Sequence, residues 1–574
     1  MEFQQVALAD WRAQVEKELA GRPFDKTLVH EALSGVDIAP LYTEAPQGVG
    51  RWQRAEPFRI CMRHEPGASR DALVADRAGG ADAFWLGLGE LDALLRTGGG
   101  AGIADGAFFV LDAEDAPPEG FAAKAFALNV DPLARRARGG SPSGDAAQAL
   151  SALGRTARKV EERFPGASAV MISTLPYHDA GADAADELAF ALSTGVSYLE
   201  ALRDAGLSAD AAARQIALQV AVGRDTFLEL CKVRALRICW AKLLVAAGGR
   251  DVAEATGAND AKGAARTNVH AVCSSRTLTV RDPWVNLLRI TTQVFAAVLG
   301  GADWVTPQAF DRALGAPSAQ AHRIARNTGL VLREESFLGK VMDPAGGSYY
   351  LDTLTDALAR EGWKRFRALE QEGGIVSALE SGRLAARLEA AWRSRLSAIA
   401  SRKTPILGVS EFANLDEELP RSAPAAATAS AKAGGALPAH RDAEPFETLR
   451  AHAEAQTSAP EALLATLGPL PESRARVGFA AGFFAAGGIR TRESTADEEA
   501  VVACICGSDE RYATEAAARA RALKAAGCQR VLLAGRPGAL EATLREAGVD
   551  GFIFVGCDVI ATLSELFQVF PGTP

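Results

Sequence analysis

Two observations in the sequence predict an α/β chain in two parts, a (β/α)8 TIM barrel followed by a smaller doubly wound parallel sheet. First, apolar runs of strand length alternate with helical patterns from Phe58 to Thr306. Alternation sustained over so long a stretch suits a closed barrel better than an open sheet. Second, beyond a segment rich in Ala, Ser, Pro and Gly, three continuous apolar runs recur with Ala-rich helices between them. Buried strands joined by crossover helices imply a flavodoxin-like fold. The length of 574 residues agrees, being too long for one typical core.

Taken in order, the start MEFQQVALADWRAQVEKELAGRPFDK reads as an amphipathic helix, and residues 1–40 as an N-terminal helical arm. Residues 41–414 read as the barrel, with strands at Phe58 to Met62, Phe84 to Leu88, Phe108 to Leu111, Ala125 to Val130, Ala167 to Thr174, Val269 to Cys273 and Asp303 to Thr306. Between 183 and 247 helices are expected to dominate, because Ile216, Val220, Phe227, Leu230, Cys231 and Leu243 recur at near-helical spacing. Arg138 to Asp145 (RGGSPSGD) reads as a surface loop. Residues 415–447, and most clearly Pro420 to Ala443, have no apolar period and read as a linker. Residues 448–574 form the tail, with strands at Val501 to Cys506, Arg530 to Ala534 and Gly551 to Gly556 and helices at Thr514 to Ala526 and Gly538 to Ala547.

Composition excludes several classes of function. A net charge of −9 and a pI near 5.5 argue against nonspecific binding to nucleic acid or anionic lipid, both of which reward clustered Lys and Arg. The N-terminus lacks the basic region and uninterrupted apolar core of a secretory signal, and no stretch reaches the ~18 apolar residues of a membrane span. Eight cysteines are scattered, and the only close pair, Cys504 and Cys506, lacks CxxC spacing. Reduced thiols in a cytoplasmic protein are the expectation, with no metal site.

Three segments carry candidate chemistry. Tyr177 and His178 follow the apolar run AVMIST and precede a helix start, which on a barrel puts both at the C-terminal mouth of a strand. The imidazole could donate to a substrate carbonyl, or could simply be satisfied by nearby backbone. Asp343 to Tyr350 (DPAGGSYY) is either a functional turn or a structural loop capping the barrel. In HRIARNT, Arg323 and Arg326 at i and i+3 could share a helical face and bind phosphate, or form surface salt bridges.

These segments, in this order, resemble the methylmalonyl-CoA mutase family. HRIARNTGLVLREES followed by DPAGGSYYLDTLT is similar to the family's RIARNT, EES and DPWGGSYY. PYHDAGADAADELAFALSTGVSYL is similar to its GYHMQEAGA stretch, and RDPWVNLLRITTQVFAAVLGG to QDPYNNVVRTT. Asp10, Trp11 and Arg12, and GVSEF at Gly408 to Phe412, also fit the pattern. The resemblance implies an isomerase of acyl-CoA esters that uses adenosylcobalamin, with the ester threading a barrel and the corrin lying between the barrel mouth and the tail. It also implies a cobalt-ligating His in a DxHxxG loop, oriented by the loop's Asp.

The sequence departs from that pattern where the chemistry would sit. In place of DxHxxG stands Leu467-Gly468-Pro469-Leu470-Pro471-Glu472, and no histidine occurs in the 122 residues after His452. Two prolines also restrict this degenerate loop. Cys61 and Arg63 occupy the slots of the family's substrate-facing Arg and Tyr, Val272 replaces a Gln, and Ser275 and Arg276 replace a Gly-Trp pair. The family's TIQND strand has no evident counterpart, because Arg155 to Arg163 is charged and helical. Arg63 and Arg276 are expected to pair with carboxylates and close the former channel. Tyr177 and His178 then read as vestigial, with no catalytic or cofactor-binding residue expected on this chain. The resemblance thus implies a small (β) subunit whose homologous large (α) partner binds the cobalamin in a heterodimer. The alternatives are a self-sufficient acyl-CoA mutase that binds cobalamin without a protein imidazole, and a regulatory acyl-CoA-binding pseudoenzyme.

Overall fold

The computed structural model describes residues 6–46, 57–96, 103, 106–140, 145–249, 267–420, 436–496 and 498–570. A helix, Leu8–Glu18, and a short antiparallel pair, β1 (His30–Glu31) and β2 (Asp37–Ile38), precede the barrel. Eight parallel strands close on themselves: β3 (Arg59–Arg63), β4 (Ala83–Gly87), β5 (Phe108–Asp112), β6 (Phe126–Val130), β7 (Ser168–Ser173), β8 (Ile216–Val222), β9 (Val269–Cys273) and β10 (Trp304–Thr306), with β10 pairing back to β3. Seven of the eight coincide with expected strands to within a residue or two at each end.

The eighth, β8, corrects the expectation of a wholly helical stretch between 183 and 247. Ile216 and Val220 lie on a strand whose seven residues are all buried. A strand covered on both sides shows no alternation, so its apolar positions mimic a helical spacing by accident. Gly223 then turns the chain into the helix Thr226–Ala247, which is capped by the Asp225 carboxylate accepting from Leu228 N–H at 3.3 Å. The helix Ala146–Arg163 forms as expected, yet no barrel position is missing, because β6 fills the place between β5 and β7.

Alternation along each strand sorts side chains between two cores. On β3, Ile60 and Met62 pack outward under the helices, while Cys61 faces the lumen. The lumen is filled by Cys61, Trp85, Val110, Met171, Val272 and Trp304 among others, and Trp304 stacks on Phe108 with ring centroids 4.3 Å apart. Outside, the helices Ala184–Asp204 and Tyr349–Gln371 approach closely at Gly362, where a Cβ would come within 2.7 Å of Leu188.

The tail is a five-stranded parallel sheet: β11 (Glu461–Thr466), β12 (Arg490–Ser494), β13 (Val502–Cys506), β14 (Arg530–Ala534) and β15 (Gly551–Ile553), in the order β12-β11-β13-β14-β15. This is the flavodoxin order. The edge strand β12, with sequence RTRES, has no apolar run by which the sequence could reveal it. One face of the sheet shares a core with Ile399, Ile406 and Val409 of the preceding chain, so the tail is packed against the body.

Part of the expected linker is therefore no free spacer. Residues 421–435 of it, like residues 141–144 of the Arg138 to Asp145 loop, lie outside the described residues. Residues 436–443, however, run along the barrel. The Leu437, His440 and Asp442 N–H groups donate to the carbonyls of Ala137, Asp179 and Arg276 at 2.8, 2.9 and 2.8 Å. The His440 ring lies parallel to Trp392 with centroids 4.2 Å apart. Among the described residues no helix is long and apolar enough to cross a membrane, and all eight cysteines are free thiols.

Candidate functional site

Tyr177 and His178 sit on the short helix Leu175–Asp179 at the C-terminal end of β7, the end of a barrel where chemistry is done. Neither side chain reaches the open mouth. His178 is 0% exposed; its Nδ1 lies 2.9 Å from Glu187 Oε1 and its Nε2 2.7 Å from Ser274 Oγ. The imidazole is thus satisfied by side chains, rather than by the local backbone that the structural alternative envisaged. Burial, reinforced by the charge of Arg276, lowers its pKa and favours the neutral ring. Tyr177 packs edge-on against Phe190, and burial raises its phenol above the ordinary value.

Glu187 is the hub beneath His178. It accepts from Thr174 Oγ1 at 2.6 Å and pairs with Lys232 Nζ at 2.7 Å, and Lys232 also meets Glu229 at 2.6 Å. Burial alone would raise the Glu187 carboxyl, but the charge of Lys232 and the hydrogen bonds from Lys232 and His178 outweigh it and hold the group low. Every member of this network has a partner within the protein, and such a closed set rigidifies the strand ends.

Arg276 completes the seal. Its guanidinium donates to the His178 and Ala182 carbonyls and faces Asp442 at 3.9 Å. Asp442 is also approached by Arg224 at 3.7 Å and Arg395 at 4.0 Å, so the stretch expected to be a linker supplies the countercharge. Arg63 behaves differently from the expectation of a buried, paired group. It lies over the Trp85 ring at 4.5 Å, meets Glu65 only at 3.7 Å, and keeps 38% of its side chain exposed.

The mouth above Trp85 consequently stays open. A cavity of about 700 Å³ remains there, lined by Arg63, Asp112, Asn129, Arg138, Arg312 and Arg441 among others. Lower down the lumen is filled, but by the apolar side chains of Trp85, Met171 and Trp304 rather than by the expected arginine–carboxylate pairs.

The remaining expected sites are distributed by the fold rather than gathered. Arg326 is buried and pairs with Asp76 Oδ1 at 2.9 Å, whereas Arg323 is exposed, so they do not form the shared phosphate face. Asp343 pairs with Arg234 at 2.7 Å, Ser348 caps the helix Tyr349–Gln371, and Tyr350 packs on Tyr42. DPAGGSYY is therefore a structural turn here.

In the tail, only Leu467, Gly468 and Pro469 form the loop after β11; Leu470, Pro471 and Glu472 already belong to the helix Leu470–Ala486. Pro471 is tolerated in the first turn, where its missing N–H has no helical acceptor anyway. The loop lies at the carboxyl ends of β11 and β13, where the strand order reverses and doubly wound sheets bind ligands. Glu472 meets Arg511 there at 2.9 Å, and Arg476 meets Asp509 at 3.0 Å. With no histidine beyond 452, this crevice offers no imidazole and does not fit a cobalt-ligating loop.

A further cluster escaped sequence reading because its members are far apart in the chain. His64, Asp76 and His322 bring three ligating atoms within 4.8 Å of one another at the rim of the barrel.

Comparison with known proteins agrees with this architecture. Residues 128–470, more than half of the chain, match the family model for methylmalonyl-CoA mutase. The chain is 37% identical to a methylmalonyl-CoA mutase small subunit from Streptomyces virginiae, over 98% of this chain and 96% of that one. It is 33% identical to the small subunit from Propionibacterium freudenreichii subsp. shermanii, over 99% and 95% of the two chains. It is also 34% identical to a methylmalonyl-CoA mutase large subunit from Porphyromonas gingivalis, over 44% of this chain and 34% of that one. On this evidence the chain belongs to the methylmalonyl-CoA mutase family.

Proposed function

We propose that this chain is the small, noncatalytic β subunit of an adenosylcobalamin-dependent methylmalonyl-CoA mutase. The complex interconverts methylmalonyl-CoA and succinyl-CoA, and a homologous large α subunit holds both cofactor and substrate. The observation that carries this reading is the sealed His178, whose two ring nitrogens are taken by Glu187 and Ser274 at zero exposure. Two others support it. The lumen through which an ester would thread is filled by Trp85 and Trp304, and the tail has no nitrogen donor for cobalt at its switch point.

In this reading the units are an arm at 1–40, a barrel at 41–414, a linker at 415–447 whose last residues dock on the barrel and enter the helix Glu444–Glu454, and a degenerate cobalamin domain at 448–574. The arm's helix Leu8–Glu18 buries none of its residues on its own chain, which suits a segment that wraps a partner. Eight free thiols suit the cytoplasm.

The test is to purify the full chain alone and co-expressed with its large subunit, then compare corrinoid absorbance and turnover. The chain alone should hold no corrinoid and turn over nothing, while the pair copurifies one to one and is active. Turnover by the isolated chain would refute the assignment. A second reading, an acyl-CoA-holding pseudoenzyme, draws on the arginine-lined mouth cavity. Tight acyl-CoA binding by the isolated chain, independent of the large subunit, would favour it.

A further inference from the structure

The residue that follows β3 is His64, one position beyond the cavity-lining Arg63. Its N–H donates to the Trp85 carbonyl at 2.8 Å, which fixes the backbone there. Its side chain turns outward toward two helices, Arg70–Ala78 and Ala319–Leu330. From the first comes Asp76 and from the second His322. Both imidazoles converge on a single carboxylate oxygen, Asp76 Oδ2: His322 Nε2 at 2.7 Å and His64 Nε2 at 3.1 Å. The two rings meet edge to face with centroids 5.3 Å apart.

A purely hydrogen-bonded cluster accounts for only part of this arrangement. His322 bonds Asp76, but His64 Nε2, although buried and close enough, makes no hydrogen bond. Its misaligned nitrogen shares the space between the three groups instead of donating along the line to oxygen. The other carboxylate oxygen is occupied by Arg326, whose guanidinium donates to Oδ1 at 2.9 Å and so turns Oδ2 toward the histidines. Arg326 reaches that position past Gly79, where a Cβ would lie 2.2 Å from the guanidinium carbon. His64 and Asp76 are buried, while 27% of the His322 side chain is exposed, leaving one side accessible to solvent.

We propose that His64, Asp76 and His322 form a binding site for a divalent transition metal ion of the zinc class, which ties the end of β3 to the two helices at the barrel rim. Two imidazoles and one carboxylate oxygen are a donor set for such ions rather than for Mg2+ or Ca2+, which favour all-oxygen sites. Arg326 plays the part of the outer hydrogen-bond partner that orients a ligating carboxylate. The ion would stiffen the strand end that carries Arg63 without taking part in the reaction of the complex, so the inference stands apart from the proposed function.

The experiment titrates Zn2+ into the full-length, chelator-treated chain and reads affinity by competition with a chromophoric chelator, with Mg2+ as the non-binding control. One ion per chain is expected. His322→Gln can still donate to Asp76 but is a poor metal ligand, and should weaken Zn2+ at least roughly 100-fold while leaving the far-UV spectrum unchanged. His64→Ala should do the same, and His440→Ala, which removes a histidine outside the site, should not. Co2+ absorbance of the wild type provides a readout that needs no variant: nitrogen and oxygen ligands lack the thiolate charge-transfer band that binding to cysteine would show. Absence of stoichiometric Zn2+ binding, a thiolate band, or full affinity in both His322→Gln and His64→Ala would each overturn the proposal.

Discussion

Arg276 shows what a barrel mouth needs in order to hold a buried guanidinium. A guanidinium in a barrel mouth is costly to bury, yet here two carbonyls accept from it and the Asp442 carboxylate supplies a countercharge at 3.9 Å. Burial, with the neighbouring charge of Arg395, lowers its pKa to about 10, which leaves it charged at neutral pH. Arg276→Met should cost about 3 kcal/mol, since it leaves two buried carbonyls without their donor and Asp442 with only Arg224 and Arg395 as countercharges; urea denaturation at neutral pH measures it, and a loss below about 1 kcal/mol would contradict the role. His270 makes the matching case for pH. Gln219 Nε2 lies 3.1 Å from its Nδ1 and Thr306 Oγ1 2.8 Å from its Nε2, an arrangement that the neutral ring satisfies. Burial, then the charge of Arg63, lowers its pKa from 6.5 to about 3. Between those values the unfolded chain binds a proton that the folded one refuses, so stability present above pH 6.5 is lost as pH falls toward 3. His270→Gln should remove up to ~1.4 kcal/mol per pH unit of that slope, and an unchanged slope would show that the ring titrates freely.

At the scale of elements, short connections decide what the strand ends can hold. The three-residue turn Leu467–Pro469 leaves β11 with Gly468 at φ +70, where a Cβ would meet Arg511 Nε at 2.8 Å and Glu472 Oε2 at 2.9 Å. Gly468→Ala should therefore destabilise the tail by about 1–2 kcal/mol in thermal melts. Pro471→Ala, within the first helical turn, should stay within ~0.5 kcal/mol, so a large effect there would mean that the loop extends further than this helix start implies. The sheet's elements differ in how far sequence reveals them. β13 and β14 are continuous apolar runs and plain to see, whereas β12 is a charged edge and β8 a fully buried strand with an accidental helical spacing. In both of the latter, the sheet supplied the information that periodicity lacked.

Across the whole molecule, body and tail are joined by more than chain continuity. Glu447, on the helix Glu444–Glu454 that begins inside the expected linker and leads into the tail, accepts from Val280 N–H at 2.6 Å and pairs with Arg441 at the same distance, and Arg281 reaches Glu454 at 2.5 Å. Glu447→Ala should cost about 1 kcal/mol by leaving the half-buried Val280 N–H and the Arg441 guanidinium without their shared partner. In hydrogen-exchange mass spectrometry, peptides over residues 276–286 and 444–454 should exchange faster, with the outer barrel helices unchanged. Uniform protection in both proteins would mean that this contact does not hold the two parts together.

The sequence by itself determined the family, the two-part α/β architecture, seven of the eight barrel strands and the missing imidazole after His452, because each is written in local pattern or in residue identity. Only the tertiary structure decided that His178 is sealed by Glu187 and Ser274, that Asp442 of the expected linker neutralises Arg276, that the mouth above Trp85 stays open, and that His64, Asp76 and His322 meet. Those contacts join residues from about 9 to about 258 positions apart, and barrel closure brings them together through strand pairing and helix packing, which no local spacing encodes.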